Sequence, residues 1–190
     1  MAEEHGQVRE EQLDPEREAR RRLALAQIRQ YPDPVLRMRA NEVESFDDDL
    51  RRLVERMRNL MQDANGVGLA ATQIGILQRV FVLQPTADDE ARALVSPVIA
   101  EKSEETVSDD EGCLSLIGLT IPVERAQSIT VEAKDEQGHD VRLELEGHAA
   151  RVAQHELDHL DGVLIIDRTT PEARREAMGL LRPEPALPTA

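Results

Sequence analysis

The clearest hydrophobic pattern in the chain is a stripe between Leu50 and Ala64. Apolar residues there recur at offsets 0, 3, 4, 7, 10, 11 and 14, namely Leu50, Leu53, Val54, Met57, Leu60, Met61 and Ala64. This spacing predicts one helix with a single buried face, which most simply packs on a sheet. The acidic run 47–49 precedes the stripe, and such side chains cap free N–H groups at a helix N-terminus.

Shorter apolar runs predict strands. Residues 80–83 indicate a buried strand, and the runs on either side of Pro97 indicate a strand with a bulge or an edge position. The alternation from Ser128 to Glu146 around a central turn predicts a hairpin. His148–Asp161 predicts a second helix, ended by Gly162 in the position that favours a left-handed cap. Because strands come first without regular βαβ alternation, we predict an α+β fold with mixed or antiparallel sheets around this second helix.

A chain of 190 residues suits one domain with extra terminal segments. Residues 1–25 are dense in Glu and Arg, which predicts a solvated helix or a mobile extension. The compact domain is expected over 26–170, with its start near Tyr31–Pro34. Residues 171–190 are expected to form a Pro-containing tail with little core.

Composition narrows the functional class. The net charge of −15 argues against a general nucleic-acid or membrane binder, which needs clustered Lys and Arg. No apolar run approaches the roughly 20 residues of a membrane span, and the acidic N-terminus lacks the apolar region of a secretory signal. The single Cys excludes an intrachain disulfide framework. These features predict a cytoplasmic protein.

The segment His155-Glu156-Leu157-Asp158-His159 has the form H-E-x-x-H inside the second predicted helix. Residues four apart share a helix face, so both imidazoles could bind one metal ion. Glu156 could then reach a water molecule at that ion without binding the metal itself. A surface helix that happens to carry two histidines fits the same five residues. The motif alone therefore does not distinguish a metal site from such a helix.

A catalytic site of this kind needs a third ligand. The only Cys, Cys113, lies in Glu111-Gly112-Cys113-Leu114-Ser115. A free Cys is most often a small buried hydrophobe, but glycine and acidic neighbours make this a poor core segment. The rival ligands are His5, His139 and His148, and we favour Cys113.

A third segment, residues 66–75, begins Gly66-Val67-Gly68 and contains Gln73. Glycines allow a backbone to approach a ligand closely, and a Gln amide can donate to a developing oxyanion. A plain turn between a helix and a strand fits the same residues.

Taken together, the three segments resemble in order and spacing the signature motifs of the peptide deformylases. The resemblance extends from Tyr31 to Arg168, most of the chain. It implies removal of the formyl group from the N-terminal formyl-methionine of new polypeptides, with release of formate. Three positions depart from the usual family residues: Thr72, Ser96 and the segment Leu116-Ile117-Gly118.

The resemblance also implies roles for individual residues. The metal ligands would be Cys113, His155 and His159. Glu156 would be the general base, and the Gln73 side chain with the backbone N–H of Leu114 would stabilise the oxyanion. Substrate would contact Val67, Gly68, Arg125 and Val152.

The resemblance favours Fe²⁺ as cofactor, with Zn²⁺, Ni²⁺ or Co²⁺ able to occupy the same site. The implied partners are N-formyl-methionyl peptides of nascent chains, with no membrane and no specific nucleic acid, and a monomer is the default. A transient ribosome contact stays open, although residues 171–190 balance three Arg against three Glu and offer RNA little attraction. The competing interpretations are a general metallopeptidase and a diverged copy that acts only by binding.

Overall fold

The computed structural model describes residues 14–181, together with the backbone of two short paired strands, β1 (Glu3–His5) and β2 (Val8–Glu10). The described strands that follow are β3 (Gly68–Ala70), β4 (Val80–Leu83), β5 (Arg92–Lys102), β6 (Thr106–Gly112), β7 (Thr120–Ala126), β8 (Ser128–Lys134) and β9 (Asp140–Glu146). The helices are α1 (Pro15–Leu25), α2 (Asp48–Asp63), α3 (Gly147–Leu160) and α4 (Pro171–Leu180). Single 3-10 turns occupy Pro34–Arg37, Ala71–Ile74 and Ile165–Asp167.

Five strands form an antiparallel sheet in the order β3-β4-β5-β8-β9, and β6 pairs with β7 as a separate hairpin. Helix α2 packs on one face of the sheet and α3 on the other. The period-2 geometry of β4 shows this directly. Val80 and Val82 belong to the core cluster of α2, whereas Phe81 and Leu83 belong to the cluster of α3. The α+β prediction is confirmed.

Helix α2 follows the predicted stripe closely. Asp47 caps its N-terminus by accepting from the N–H groups of Asp49 and Leu50, and Ala64 ends it. The buried positions on α2 are Leu50, Val54, Met57, Leu60 and Met61. The predicted hairpin is also confirmed, with β8 and β9 paired from Ser128↔Glu146 to Lys134↔Asp140.

Strand β5 runs through Pro97 with a register shift between Val95 and Val98, so the predicted bulge is present. Ser96 has a positive φ of 49°, and its hydroxyl accepts from the N–H of Val43. A short polar side chain is therefore suited to this bulge, because it compensates locally for a backbone shape that few residues adopt.

The segment after Arg168 forms a helix, α4, and contributes one fully buried residue to the core. Thr170 caps α4, and Pro171 lies in its first turn, where a missing N–H is tolerated. Ala177 is buried in a third core cluster, and Met178 and Leu181 pack against it. Residues 182–190 lie outside the described part of the chain.

The N-terminal segment likewise joins the core. Helix α1 begins after the capping side chain of Asp14, and Ala24 is buried in the cluster that contains α2. The prediction of a solvated helix therefore fits the first turns of α1, but not its last turn. None of the helices in the described part of the chain has the length and apolar character that crossing a membrane requires.

The end of α3 yields a stability prediction. Gly162 has a φ of +74°, and a Cβ there would lie 2.5 Å from the backbone oxygen of Arg37. Gly162→Ala should lower the free energy of unfolding by about 1–3 kcal/mol, because strain and steric overlap add. Gly179→Ala is the matched control, since a Cβ at that helical position meets nothing within 4 Å. Urea denaturation measures the free energy of unfolding of both variants. Equal stability of the two would contradict this explanation of the helix end.

Candidate metal centre

Helix α3 places two buried histidines side by side. His155 and His159 are one helical turn apart, and 2% and 1% of their surfaces are exposed. Their ring centroids are 5.0 Å apart, and their Nε2 atoms are separated by 3.2 Å. The i, i+4 spacing predicted from the sequence thus brings both Nε2 atoms to one point.

Cys113 completes the cluster from the turn after β6. Its Sγ lies 3.3 Å from Nε2 of His159, and all three donor atoms lie within 4.8 Å of one another. Atoms bound to one tetrahedral ion at about 2.0–2.3 Å lie about 3.3–3.6 Å from each other. One sulfur and two imidazole nitrogens at these separations fit a single divalent metal ion.

A buried carboxylate orients His155. Glu111 has no exposed surface, and its Oε2 lies 2.9 Å from Nδ1 of His155, which leaves Nε2 facing Cys113 and His159. Burial alone would raise the pKa of Glu111, but hydrogen bonds from His155 and Arg125 outweigh burial and hold this pKa well below its usual range. Carboxylates that fix a ligating imidazole in this way strengthen metal binding.

Arg125, which is predicted to contact the substrate, pairs with two acidic side chains. Its Nε and one terminal nitrogen donate to Glu111 at 2.9 and 3.0 Å, and its other terminal nitrogen donates to Asp158 at 2.5 Å. The side chain is 5% exposed. All three of its nitrogens thus have partners inside the protein, and Arg125 holds Glu111. Its contact with substrate stays a prediction.

The protonation states in the cluster are consistent with a cation site. Burial lowers the pKa of His159 well below its ordinary value, which leaves the neutral imidazole that metals bind. Burial raises the pKa of the Cys113 thiol, and the nearby carboxylates of Glu156 and Glu111 raise it further. A divalent cation at this point would offset both the burial of Cys113 and the repulsion by the carboxylates. It would therefore favour the thiolate form of Cys113.

Glu156 lies beside the cluster against the backbone of Gly68. It is fully buried, and burial, followed by repulsion from Glu111, raises its pKa well above the ordinary value. A Cβ built on Gly68 would overlap Oε1 of Glu156 and lie 2.8 Å from its Cδ. The same Cβ would lie 3.0 Å from Cγ1 of Val152. Residue 68 is therefore required to be glycine, because a larger residue would overlap the Glu156 side chain. Val152 packs against the same position.

Gln73 is fixed with its amide toward the cluster. Its Oε1 accepts from the N–H of Ala70 at 2.9 Å, while its Nε2 donates to the Ser115 hydroxyl at 3.1 Å and lies 3.9 Å from Sγ of Cys113. Leu114 is buried, and its carbonyl accepts from Nε2 of Gln30 at 2.8 Å. Val67 is buried in the same core cluster as Val152.

The rival histidines lie elsewhere or outside the described residues. His139 is exposed in the β8–β9 turn, where its Nδ1 pairs with Asp135. His148 lies in the first turn of α3 and lines a shallow cleft with Arg151. The His5 side chain lies outside the described residues. Within the described chain, the metal-competent cluster comprises Cys113, His155 and His159.

The comparisons with known proteins identify the family. A family model for polypeptide deformylase matches residues 25–175. The chain belongs to the polypeptide deformylase family. The peptide deformylase of Thermotoga maritima is 48% identical over 147 residues, which cover 77% of this chain and 88% of that protein. The relative from a Parafrankia species is 41% identical over 172 residues, covering 87% and 93%.

Solved deformylase structures share the fold. The T. maritima crystal structure has a TM-score of 0.73 at 48% identity and covers 76% of this chain and 97% of its own. The Arabidopsis thaliana peptide deformylase 1B, solved with an inhibitor, has a TM-score of 0.77 at 37% identity and covers 81% and 89%. Peptide deformylases are metal-dependent hydrolases that remove the N-formyl group from the N-terminal methionine of new proteins. The predicted family and function are confirmed.

The positions that depart from the usual deformylase residues are accommodated locally. Thr72 is fully buried, and its hydroxyl donates to the backbone oxygen of His159 at 3.2 Å, so it ties the β3–β4 connection to α3. Leu116 is buried, whereas Ile117 is 54% exposed next to Gly118, which has a φ of +78°.

Sequence reasoning missed the roles of Glu111 and Asp158. The Asp158 carboxylate accepts a hydrogen bond from Arg125 on one side. On the other side it accepts two hydrogen bonds from Arg168, at 2.6 and 3.0 Å. The available signal was position: Glu111 lies two residues before Cys113, and Asp158 lies directly before His159.

The close approach at Gly68 can be tested in the deformylase reaction. Gly68→Ala should displace the Glu156 carboxylate and reduce turnover by about 10²-fold, because displacements near 1 Å cost that much. Metal content should stay at wild-type level, since the added methyl group meets Glu156 and Val152 rather than the three ligands. Gly179→Ala, in open space, serves as the control. Wild-type turnover of Gly68→Ala would show that the contact has no catalytic weight.

Proposed function

We propose that this deformylase hydrolyses the formyl amide of N-formyl-methionyl peptides with Glu156 as general base at a metal held by Cys113, His155 and His159. The observation that carries the proposal is the convergence of the three donor atoms beside the buried Glu156 carboxylate. The deformylase family supplies the reaction, and the positions of these residues support the roles that we propose for them.

The cofactor we propose is Fe²⁺, with Zn²⁺, Ni²⁺ or Co²⁺ able to use the same ligands. A thiolate with two imidazoles is a soft ligand set that suits iron or zinc. When bound, a divalent ion would act as a Lewis acid and lower the pKa of a coordinated water to near 7. Glu111 supports this role by holding Nδ1 of His155 at 2.9 Å.

Glu156 moves the protons of the reaction. Its raised pKa, caused first by burial, makes the carboxylate a stronger base than one in water. It takes a proton from the water whose oxygen adds to the formyl carbon. It then returns the proton to the nitrogen as the carbon–nitrogen bond breaks, so that formate and a free amine leave.

Gln73 and Leu114 stabilise the negative charge that develops on the formyl oxygen. The Gln73 amide is oriented in advance, because Ala70 fixes its Oε1. The backbone N–H of Leu114 is the second donor that we propose. A donor that is already in place contributes about 2.7–4 kcal/mol to the transition state, since it needs no reorientation during the reaction.

The substrate binds along β3, which is the edge strand of the five-stranded sheet. An extended peptide can pair with such an edge as an added strand. Val67, Val152 and Leu114 form the apolar wall for the methionine side chain, and Gly68 gives the backbone room beside Glu156. Arg125 supports this site from behind through Glu111.

We further propose that the enzyme acts as a cytoplasmic monomer. Its substrates are the formylated ends of nascent chains, and any ribosome contact is transient. The net charge of −15 favours weak rather than stable association with RNA.

Formate release from a formyl-Met-Ala dipeptide tests the proposed chemistry. Glu156→Gln should lower kcat by about 10²–10⁴-fold, because the amide cannot accept the water proton. Metal content measured on the same samples should not change, since Glu156 is not a ligand. Glu55→Gln, on the exposed side of α2, is the matched control and should keep wild-type turnover. Undiminished turnover in Glu156→Gln would remove Glu156 from its role, and failure of the metal-loaded wild type to release formate would refute the function itself.

A further inference from the structure

The short segment 29–31, which follows the end of α1, joins the two turns that carry the proposed oxyanion donors. The N–H of Arg29 donates to the backbone oxygen of Gln73 at 2.7 Å. The N–H of Tyr31 donates to the backbone oxygen of Ser115 at 2.9 Å, in the other turn. Both contacts use only backbone groups, so they need no particular side chain. They hold the segment in place between the two turns.

Gln30, in the middle of this segment, adds a contact through its side chain. Its Nε2 donates to the backbone oxygen of Leu114 at 2.8 Å and to that of Ile28 at 3.3 Å. A side-chain amide nitrogen carries two hydrogens, so these two acceptors fix the orientation of the amide group. Ile28 and Leu114 are buried in the same core cluster. The half-buried Gln30 side chain therefore links two points that the core already holds close together.

The contact with Gln30 restricts the direction of the Leu114 N–H. This N–H shares a planar trans peptide group with the carbonyl of Cys113, so the two point in opposite directions. The Cys113 carbonyl accepts from the N–H of Leu116 at 3.0 Å, and the Leu114 carbonyl accepts from Gln30. Leu114 thus lies between two fixed carbonyl groups, which restricts its φ and ψ. A local turn and the Gln30 side chain together set the direction of the Leu114 N–H.

We propose that Gln30 is a positioning residue, which holds the Leu114 N–H in the direction in which it stabilises the oxyanion. The proposal rests on the proposed function, in which Leu114 is an oxyanion donor, and adds a residue that acts through Leu114. A donor contributes most when it is in place before the charge develops. Because the turn at Cys113 remains without Gln30, loss of this side chain should loosen the donor without removing it. The effect should therefore be smaller than the loss of about 10²–10³-fold that follows removal of a whole donor.

Gln30→Met tests this role, because it keeps the length of the side chain and removes the donor. With the formyl-Met-Ala dipeptide as substrate, kcat should fall by about 3- to 10-fold while KM stays unchanged, since the weakened contact forms only in the transition state. Metal content should stay at wild-type level, because the Gln30 amide contacts Ile28 and Leu114. Gln30→Lys should recover part of the lost kcat, because Lys also donates from a long side chain.

The matched control is Gln27→Met, which makes the same chemical change three residues earlier in the chain. Gln27 is exposed, and its Oε1 accepts from the exposed side chain of Arg56 at 3.3 Å. This variant should keep the wild-type kcat. Wild-type kcat in Gln30→Met would overturn the proposal, and so would a loss that falls on KM. A Gln30→Lys variant no more active than Gln30→Met would overturn it as well, because the side chain would then act by packing alone.

A second measurement separates this proposal from the proposed function. In ¹H–¹⁵N spectra of the Zn²⁺-loaded protein, the Leu114 amide should shift and exchange faster with solvent in Gln30→Met, because its peptide group is less restricted. The same amide should be unchanged in Gln27→Met. Failure of the wild type to release formate would count against the proposed function. An unchanged Leu114 amide in Gln30→Met would overturn the positioning role of Gln30 whether or not formate is released.

Discussion

The metal centre depends on one buried carboxylate, Glu111. It comes from β6, accepts from His155 on α3, and is held by Arg125 from β7. Arg151 on α3 donates to it as well, at 2.8 Å. A fully buried charge is tolerated only when it is paired and hydrogen-bonded. The contacts of Glu111 therefore hold β6, β7 and α3 against one another. Cys113 follows two residues later, and the same contacts therefore place all three ligands.

A second layer of charges supports the first. Arg125 joins Glu111 to Asp158, and Asp158 is also held by Arg168. Asp158 and His159 are neighbours on α3 but point to different surroundings, one to the arginines and one to the cluster. Ligands held by such a shell keep their geometry before a metal binds. The side chains of Glu156 and Gln73, for which we propose catalytic roles, contact Gly68 and Ala70 respectively.

Local patterns explain what the sequence predicts well. The stripe of α2, the β8–β9 hairpin and the H-E-x-x-H helix follow from periodicity and spacing over short distances. The β6–β7 hairpin was not predicted, because β6 is largely exposed and polar and shows no clear alternation. Helix α4 was not predicted, because Pro171 and the three prolines after residue 182 are typical of an irregular tail. The pairing of Arg125 was not predicted, because its partners, Glu111 and Asp158, lie 14 and 33 residues away, and only the tertiary fold brings them together.

We expect Cys113, His155 and His159 to bind one divalent metal ion. Titration of the metal-free protein with Co²⁺, followed by absorption spectroscopy, measures this binding, because a thiolate ligand to cobalt gives its own charge-transfer band. Binding should saturate at one equivalent, with a band that disappears in Cys113→Ala and persists in His139→Ala. A band that survives the loss of Cys113, or the absence of stoichiometric binding, would contradict it.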